Sequence, residues 1–155
     1  KKIRKQYKEL KKNWDDGSYS DYLRLRCFKG PIYYELEENW SESKEKINRV
    51  EKNIEKAENL EENNGEFIRE QIDILRDIKG VGVTTASVIL HLLDEEHFAI
   101  FDSNAFDGAG VDKSESDSKV ENYIKYNEKV REKANKEDKE LRNVEFKFFK
   151  KGRKS

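Results

Sequence analysis

The chain has 155 residues, which suits one folded domain, and 42% of them are charged, well above the roughly 25% usual for soluble domains. We therefore expect amphipathic helices with a densely ionic surface. No apolar run approaches the roughly 20 residues that a membrane-spanning helix needs, which excludes a membrane protein. The single cysteine, Cys27, excludes a disulfide framework and a cysteine-based metal cluster. The first residues lack the apolar core of an export signal, so we expect a cytoplasmic location.

The net charge of −1 conceals an uneven distribution. Basic side chains outnumber acids over residues 1–14 and again over residues 145–155, so the middle of the chain is acidic. Basic ends beside an acidic body can bind nucleic acid. On charge alone, the plainer interpretation of solvated helix ends is favoured.

The N-terminal segment predicts a basic amphipathic helix, because its apolar residues recur at helical spacing. These residues are Ile3, Tyr7, Leu10 and Trp14. We treat residues 1–40 as an N-terminal extension and residues 41–155 as the core of a single helical domain. The core is expected to open with a helix capped by Ser41 or Ser43. Its apolar stripe is predicted to consist of Ile47, Val50, Ile54, Ala57 and Leu60.

The rest of the core also has helical periodicity and no convincing strand pattern, so the predicted class is all-α. One helix is expected from Glu66, and a second, apolar almost all round, from Val83 to Leu93 at the buried centre. A further helix start is predicted at Asp102 or Ser103. The sequence "DGAGVDKSESDS" is expected to be the longest loop. Two later helices are predicted from the apolar positions Val120, Ile124, Val130 and Ala134, and from Leu141, Val144 and Phe148.

Two glycines, Gly80 and Gly82, separate the helix that starts near Glu66 from the apolar helix. A dinucleotide fingerprint is rejected, because a helix precedes the glycines and Thr85 stands where a third glycine is needed. The pattern favours a sharp hairpin whose exposed amides, at the positive end of a helix, can grip a phosphate. Lys79 and the hydroxyls of Thr84 and Thr85 can add contacts. The remaining alternative is an ordinary αα-hairpin with no ligand.

The segment "LRDIKGVGVTTASVILHLLDEEHFAIFDSNAF" resembles the helix-hairpin-helix base-excision DNA glycosylases, specifically over residues 72–106. The resemblance implies a helix-hairpin-helix glycosylase-like fold and double-stranded DNA as the partner. It implies that the amides of Gly80, Val81, Gly82 and Val83 hold a DNA phosphate, and that the carbonyls of Gly80 and Gly82 hold a structural monovalent cation. We expect no other cofactor, a monomer, and a cytoplasmic or nucleoid-associated location.

The same resemblance aligns Asp102 with the family's catalytic aspartate, which stabilises the positively charged sugar or positions water. Thr84 falls where bifunctional members carry a lysine, and a hydroxyl cannot form the Schiff base of the lyase reaction. We therefore expect a monofunctional N-glycosylase that acts on a damaged or mismatched base. Two alternatives remain: an inactive DNA-binding module of the same fold, since "DSNAFDGAG" lacks the basic residue usual after the aspartate, and a helical protein-interaction domain. Asp102 can equally be a helix cap.

Other residue groups give weaker signals. His91 and His97 lack a third ligand, so packing is favoured over metal binding. The aromatic residues are expected mostly in the core, with lining of a base pocket or insertion into a duplex as the alternative; they are Tyr33, Tyr34, Trp40, Phe146, Phe148 and Phe149. The basic residues of the C-terminal segment are predicted to contact the DNA backbone; they are Lys147, Lys150, Lys151, Arg153 and Lys154.

Overall fold

The computed structural model describes residues 40–58, 60, 65–114 and 118–153, and all regular structure in those ranges is helical. The helices are α1 (Trp40–Lys56), α2 (Gly65–Arg76), α3 (Val83–Leu93), α4 (Ser103–Ala109), α5 (Lys119–Glu137) and α6 (Leu141–Arg153). The all-α prediction is confirmed. None of these helices combines the length and the apolar character that crossing a membrane requires. The predicted helix of the N-terminal extension lies outside the described residues.

Helix α1 covers the predicted first helix of the core but differs from the prediction at both ends. It begins at Trp40, so Ser41 and Ser43 lie inside the helix and the predicted cap was wrong. Ser43 is fully buried. The stripe of Ile47, Val50 and Ile54 is buried as predicted, whereas Ala57 and Leu60 follow the end of the helix at Lys56. The helical spacing of apolar residues in the sequence therefore continues beyond the end of the helix itself.

Helices α2 and α3 confirm the two helices expected on either side of the glycines. In α2 only one face is buried, and it consists of Ile68, Gln71, Ile72 and Leu75. In α3 every residue from Thr85 to Leu92 is buried, and the helix packs against α2 and α5. An 11-residue helix with so few charged positions must be surrounded by other elements, so α3 forms the centre of the fold.

Helices α4 and α6 pack against each other at unusually short range. A Cβ atom added at Gly108 would lie 1.8 Å from the carbonyl oxygen of Phe148, and one added at Gly152 would lie 1.7 Å from that of Asn104. Glycine at both positions lets the two backbones meet directly. Since Gly108 belongs to α4, the long loop predicted from Asp107 was wrong over its first residues. The chain stays helical to Ala109 and turns at Gly110 in a left-handed conformation, with φ 68°.

Candidate nucleic-acid interface

The turn between α2 and α3, residues 77–82, is called the glycine turn below. It is closed by backbone hydrogen bonds, among them Val81 N–H to the Ile78 carbonyl at 3.1 Å. Gly80 has φ 86°, a left-handed conformation that favours glycine. An ion pair between Lys46 Nζ and Asp77 Oδ2, 2.6 Å apart, ties α1 to the start of the turn. The hydrogen bond from Lys46 lowers the pKa of Asp77.

Burial alternates along the glycine turn and into α3. The apolar side chains of Ile78, Val81 and Val83 are buried in the core. The residues next to them are exposed: Lys79, Gly80, Gly82 and Thr84. The buried side chains of Val81 and Val83 therefore attach the turn to the core, while the two glycines and Lys79 face solvent. Val81 and Val83 can meet a ligand only through their main chains.

Gly82 caps the N-terminus of α3 without providing a side-chain acceptor. It has φ −100° and ψ −170°, and no side chain accepts a hydrogen bond at this cap. A Cβ atom at Gly82 would meet nothing within 4 Å. The first amides of a helix have no partner within the helix and lie at its positive end. The start of α3 therefore combines amide donors, positive potential and open space.

The two threonines that follow have different surroundings. Thr84 is exposed, so its hydroxyl is available at the surface beside the turn. Thr85 is buried at 5% exposure, and its side chain belongs to the core. A contact from Thr85 to a ligand would have to use its amide.

The segment after α3, residues 97–101, is held by side chains from distant parts of the chain. Ala99 N–H donates to Asn127 Oδ1 at 2.7 Å, and the Ala99 carbonyl accepts from the Tyr123 hydroxyl at 2.8 Å. The carbonyl of Phe98 lies 2.8 Å from His91 Nδ1. Tyr123, Asn127 and His91 are all buried. His91 is thus a packed histidine, as expected from the sequence.

Ser87 links this segment to the first turn of α3. Its hydroxyl donates to the Thr84 carbonyl at 2.7 Å and accepts from Phe101 N–H at 2.8 Å. Ser87 is fully buried. One hydroxyl therefore fixes the position of the residue before Asp102 relative to the start of α3. The sequence analysis missed this residue, because a serine inside an apolar helix has no distinctive pattern.

Asp102 is the N-cap of α4. Its Oδ2 atom accepts from Ala105 N–H at 2.9 Å, so the predicted capping role is confirmed. Within the described part of the chain, the Asp102 side chain makes this one hydrogen bond. The carboxylate is only partly buried. A capping carboxylate of this kind can still offer its second oxygen to a ligand.

Asp102 and Thr84 line the same cavity, which has a volume of about 360 Å³. Its walls come from α3, the segment 100–102, α4 and α6. The apolar part of the lining consists of Val88, Ile100, Phe101, Ala105, Phe146 and Phe149, and the polar part of Thr84, Asp102, Arg142 and Glu145. Ligand sites in proteins commonly have this size and this mixture of apolar wall and few polar groups.

Behind the cavity, Phe101 packs against other aromatic rings. Its ring centroid is 5.5 Å from Phe106, 5.6 Å from Tyr123 and 6.0 Å from Tyr126. Burial raises the pKa of the Tyr126 hydroxyl, and the carboxylates of Glu145 and Asp102 raise it further. The cavity wall formed by Phe101 is therefore backed by packed aromatic rings.

The C-terminal helix contributes Phe146 and Phe149 to the cavity wall, and basic side chains lie over both rings. Phe146 is 56% exposed, the one large apolar side chain so exposed in the described part of the chain. Lys150 Nζ lies 4.4 Å from the Phe146 ring centroid, and the Arg153 guanidinium lies 5.7 Å from that of Phe149. Phe148 is buried in the core. Among the described phenylalanines, the expectation of core packing therefore holds for Phe148, whereas Phe146 and Phe149 line the cavity. The side chains of Tyr33, Tyr34 and Trp40 lie outside the described residues.

Two polar residues of the cavity, Arg142 and Glu145, were not identified from the sequence. Together with Phe146 and Phe149 they occupy positions i, i+3, i+4 and i+7 of α6, which is one face of a helix. The signal was present, but the buried stripe of Leu141, Val144 and Phe148 dominated the pattern. In the described ranges, no group of three or more His, Cys, Asp or Glu side chains is arranged to hold a metal ion.

Comparison with known proteins gave no relationship that assigns a role to this site. No family model, no curated protein and no solved structure matches the chain. The functional argument therefore depends on the geometry of the glycine turn, Asp102 and the cavity.

Proposed function

We propose that this chain binds duplex DNA through the glycine turn and removes a damaged or mismatched base as a monofunctional DNA N-glycosylase. The proposal includes a helix-hairpin-helix glycosylase-like arrangement of α2, the glycine turn and α3. One observation carries it: Thr84, at the exposed start of α3, and the carboxylate of Asp102 line a single cavity of about 360 Å³. The first turn of α3, which follows the glycine turn, and a carboxylate thus stand beside the same space.

The glycine turn supplies what a phosphate needs. The amides at the start of α3 are not satisfied by a capping side chain, because Gly82 has none. Backbone amides at a helix N-terminus bind phosphate through hydrogen bonds and through the helix dipole. The exposed glycines leave room for the sugar-phosphate chain to approach, and the exposed Lys79 adds a positive charge next to them.

The cavity supplies what base removal needs. An enzyme that cleaves an N-glycosyl bond in a duplex must first take the base out of the stack and bind it in a pocket. Phe146 and Phe149 offer aromatic surface for that base. The Asp102 carboxylate would then offset the positive charge that develops on the sugar as the bond breaks. Thr84 has no amine, so strand cleavage through a Schiff base is not expected.

The structural monovalent cation at the carbonyls of Gly80 and Gly82 stays a prediction. The Gly82 carbonyl already accepts from Ala86 N–H at 2.9 Å, although a carbonyl oxygen has a second lone pair for a cation. The role of such an ion would be to stiffen the turn. None of the proposed chemistry depends on it.

The test is abasic-site formation on duplexes that each carry one damaged or mismatched base. Asp102→Asn is the informative variant, because asparagine caps a helix about as well as aspartate but removes the negative charge. We expect the rate to fall by about a hundredfold or more, with the thermal midpoint unchanged. Asp107→Asn, the same replacement at an exposed position of α4, is the matched control and should keep full activity. Full activity in Asp102→Asn would contradict the assigned role.

A second candidate is a DNA-binding module of the same fold without catalysis. The observation that favours it is the hydrogen bond from Ala105 N–H to Asp102 Oδ2, since a capping role alone explains an aspartate at this position. Salt-dependent duplex binding with no abasic product on any duplex would support this candidate. Binding that does not weaken as salt rises would instead indicate a helical protein-interaction domain, because phosphate contacts release counterions.

A further inference from the structure

Three lysines lie together where the end of α5 packs against α6. Lys133 belongs to the last turns of α5, Lys139 follows the end of that helix, and Lys147 belongs to α6. Lys147 Nζ lies 3.7 Å from Glu137 Oε2, so its side chain reaches the last residue of α5. Lys139 and Lys147 are exposed, and Lys133 is half-buried. These three residues are called the lysine cluster below.

Two members of the lysine cluster are held in place by their surroundings. Lys133 Nζ lies 4.9 Å from the ring centroid of Phe148, which is buried in the core. Lys139 follows Asp138, which ends α5 in a left-handed conformation with φ 52°. The Lys139 N–H donates to the Ala134 carbonyl at 2.9 Å, which fixes its main chain. The position of the cluster is therefore determined by the packing of α5 against α6.

The lysine cluster carries more positive charge than its surroundings neutralise. Within the described part of the chain, Glu137 is the one carboxylate in an ion pair with any of the three lysines. The contact with Lys147 lowers the pKa of Lys139. The charge of Lys133 acts in the same direction, and Glu137 opposes it. Like charges that are held close together create a positive potential that attracts an anion.

Basic side chains continue along α6 from the lysine cluster to the cavity. Lys147 and Lys150 are three residues apart, so they are neighbours on the surface of the helix. Lys150 Nζ lies 4.4 Å from the ring centroid of Phe146, which lines the cavity. On the opposite wall, Thr84 marks the exposed start of α3. A nucleic-acid strand that binds the amides of α3 and places a nucleotide at the cavity would carry further phosphates to the α6 side.

We propose that the lysine cluster binds a second phosphate of the same duplex, so that the DNA backbone is held on the α6 side of the cavity as well as at the glycine turn. This inference rests on the proposed function, in which a duplex reaches the cavity. Lysine ammonium groups bind phosphate as point charges. Phosphate contacts carry no sequence information. The cluster therefore adds affinity for every duplex and has no part in the choice of base.

Removal of two of the three charges tests the lysine cluster. The double variant Lys139→Gln with Lys147→Gln is compared with Lys52→Gln with Lys56→Gln, which removes two exposed lysines of α1 and is the charge-matched control. Affinity for an undamaged duplex is measured by fluorescence anisotropy at several salt concentrations. We expect the cluster variant to bind about tenfold more weakly, with a salt slope that is shallower by about 1. The control should stay close to the unaltered protein.

Two further measurements separate a phosphate contact from an effect on folding. Lys139→Arg with Lys147→Arg keeps both charges and should retain the affinity of the unaltered protein. Acetylation with acetic anhydride, followed by mass spectrometry, reports on each amine. Bound duplex should slow the acetylation of Lys139 and Lys147 by about fivefold or more, because a phosphate covers these amines and favours their charged form, and should leave that of Lys52 unchanged.

The outcomes distinguish this inference from the proposed function. If the unaltered protein binds duplex in a salt-dependent way and the cluster variant has the same affinity and salt slope, the inference is wrong and DNA binding at the glycine turn stands. The inference is also wrong if the α1 control loses as much affinity as the cluster variant, or if duplex does not slow the acetylation of Lys139 and Lys147. Absence of binding to every duplex overturns the proposed function, and this inference with it.

Discussion

The two ends of α3 lead into segments that are held in opposite ways. Before the helix, the glycine turn exposes its main chain, and no side chain caps the amides at Gly82. After the helix, residues 97–101 are fixed by buried side chains from α3, α5 and α6. The first arrangement leaves backbone donors available to a ligand. The second uses side chains to satisfy the backbone and sets the position of Asp102.

One helix can therefore connect an accessible segment to a segment that is held in place. Unsatisfied backbone donors cost free energy when buried, and at the surface water or a phosphate can satisfy them. A carboxylate that acts on a reacting sugar must instead be held in place. In this molecule Ser87 joins the two regions, since its hydroxyl contacts both the first turn of α3 and the residue before Asp102.

The free energy of unfolding should be most sensitive to substitution where α4 and α6 meet. Gly108→Ala would put a methyl group 1.8 Å from the Phe148 carbonyl oxygen, so the helices would have to separate. We expect a loss of about 3 kcal/mol or more in the free energy of unfolding, measured by urea denaturation with circular dichroism. Gly82→Ala adds the same methyl group where nothing lies within 4 Å and should cost less than about 1 kcal/mol. Equal stability of the two variants would show that the close crossing does not exist.

Ser87, which links the first turn of α3 to the segment before Asp102, should be the next most sensitive position. Ser87→Ala removes the acceptor for Phe101 N–H and leaves that partly buried donor without its partner, which should cost about 1–2 kcal/mol of stability. The rate of any base removal should fall by more than the loss of folded protein explains, because Asp102 follows Phe101 directly and would be displaced with it. Ser103→Ala, at the exposed first residue of α4, is the control. A change below about 0.5 kcal/mol for Ser87→Ala would contradict the linking role.

A smaller and pH-dependent effect is expected at Asp94, the C-cap of α3, and His97, the first residue of the held segment. His97 Nδ1 lies 2.8 Å from Asp94 Oδ2. This hydrogen bond raises the pKa of His97 above 6.5 against the opposing effect of burial. Burial also opposes the lowering of the Asp94 pKa below 3.8, but hydrogen bonds from His97 and backbone amides outweigh it.

The sign of both shifts fixes the pH window. The His97 contribution is complete below its ordinary pKa and is lost as pH rises through the raised value. The Asp94 contribution is complete above its ordinary pKa and is lost as pH falls through the lowered value. The pair should therefore stabilise most between about pH 4 and pH 6.5. His97→Gln should lower the free energy of unfolding by up to about 1 kcal/mol in that window, and by less at pH 8. A difference that grows towards pH 8 would contradict the pairing.

The smallest effect is expected at Tyr126, which lies behind the cavity. Its hydroxyl is buried and has no hydrogen-bond partner among the described residues. Tyr126→Phe removes a polar group that is not satisfied, so we expect a change between zero and a gain of about 1 kcal/mol in the free energy of unfolding. Thermal denaturation measures it. A loss above about 1 kcal/mol would mean that the hydroxyl has a partner, such as a buried water molecule.

The sequence predicted the exposed region well and the held region poorly. Gly80 and Gly82 stand out because their spacing interrupts two apolar helices, and Val83–Leu93 was predicted with its observed bounds. Asp102 was identified through the family resemblance, and its role as a cap follows from the local sequence. Ser87, Asn127 and Glu145 could not be identified, because they act on backbone groups 14 to 45 residues away. Such contacts depend on packing and not on local periodicity.

The central claim is that the amides at Gly82 are kept free of a side-chain cap for DNA. Gly82→Ser tests it most directly. Serine is a preferred N-cap residue and fits the extended backbone and open space at this position, so it should maintain or raise stability. Its hydroxyl would occupy the same amides that a phosphate needs. The control is Ser118→Gly, which removes the side-chain cap of α5 and should cost a few tenths of a kcal/mol without changing DNA affinity.

The decisive measurement is duplex affinity at several salt concentrations for the unaltered protein, Gly82→Ser and Ser118→Gly. We expect Gly82→Ser to bind about tenfold or more weakly, with a shallower dependence on salt because a phosphate contact has been lost, while its thermal midpoint stays equal or rises. Unchanged affinity and an unchanged salt slope in a stable Gly82→Ser protein would contradict the account.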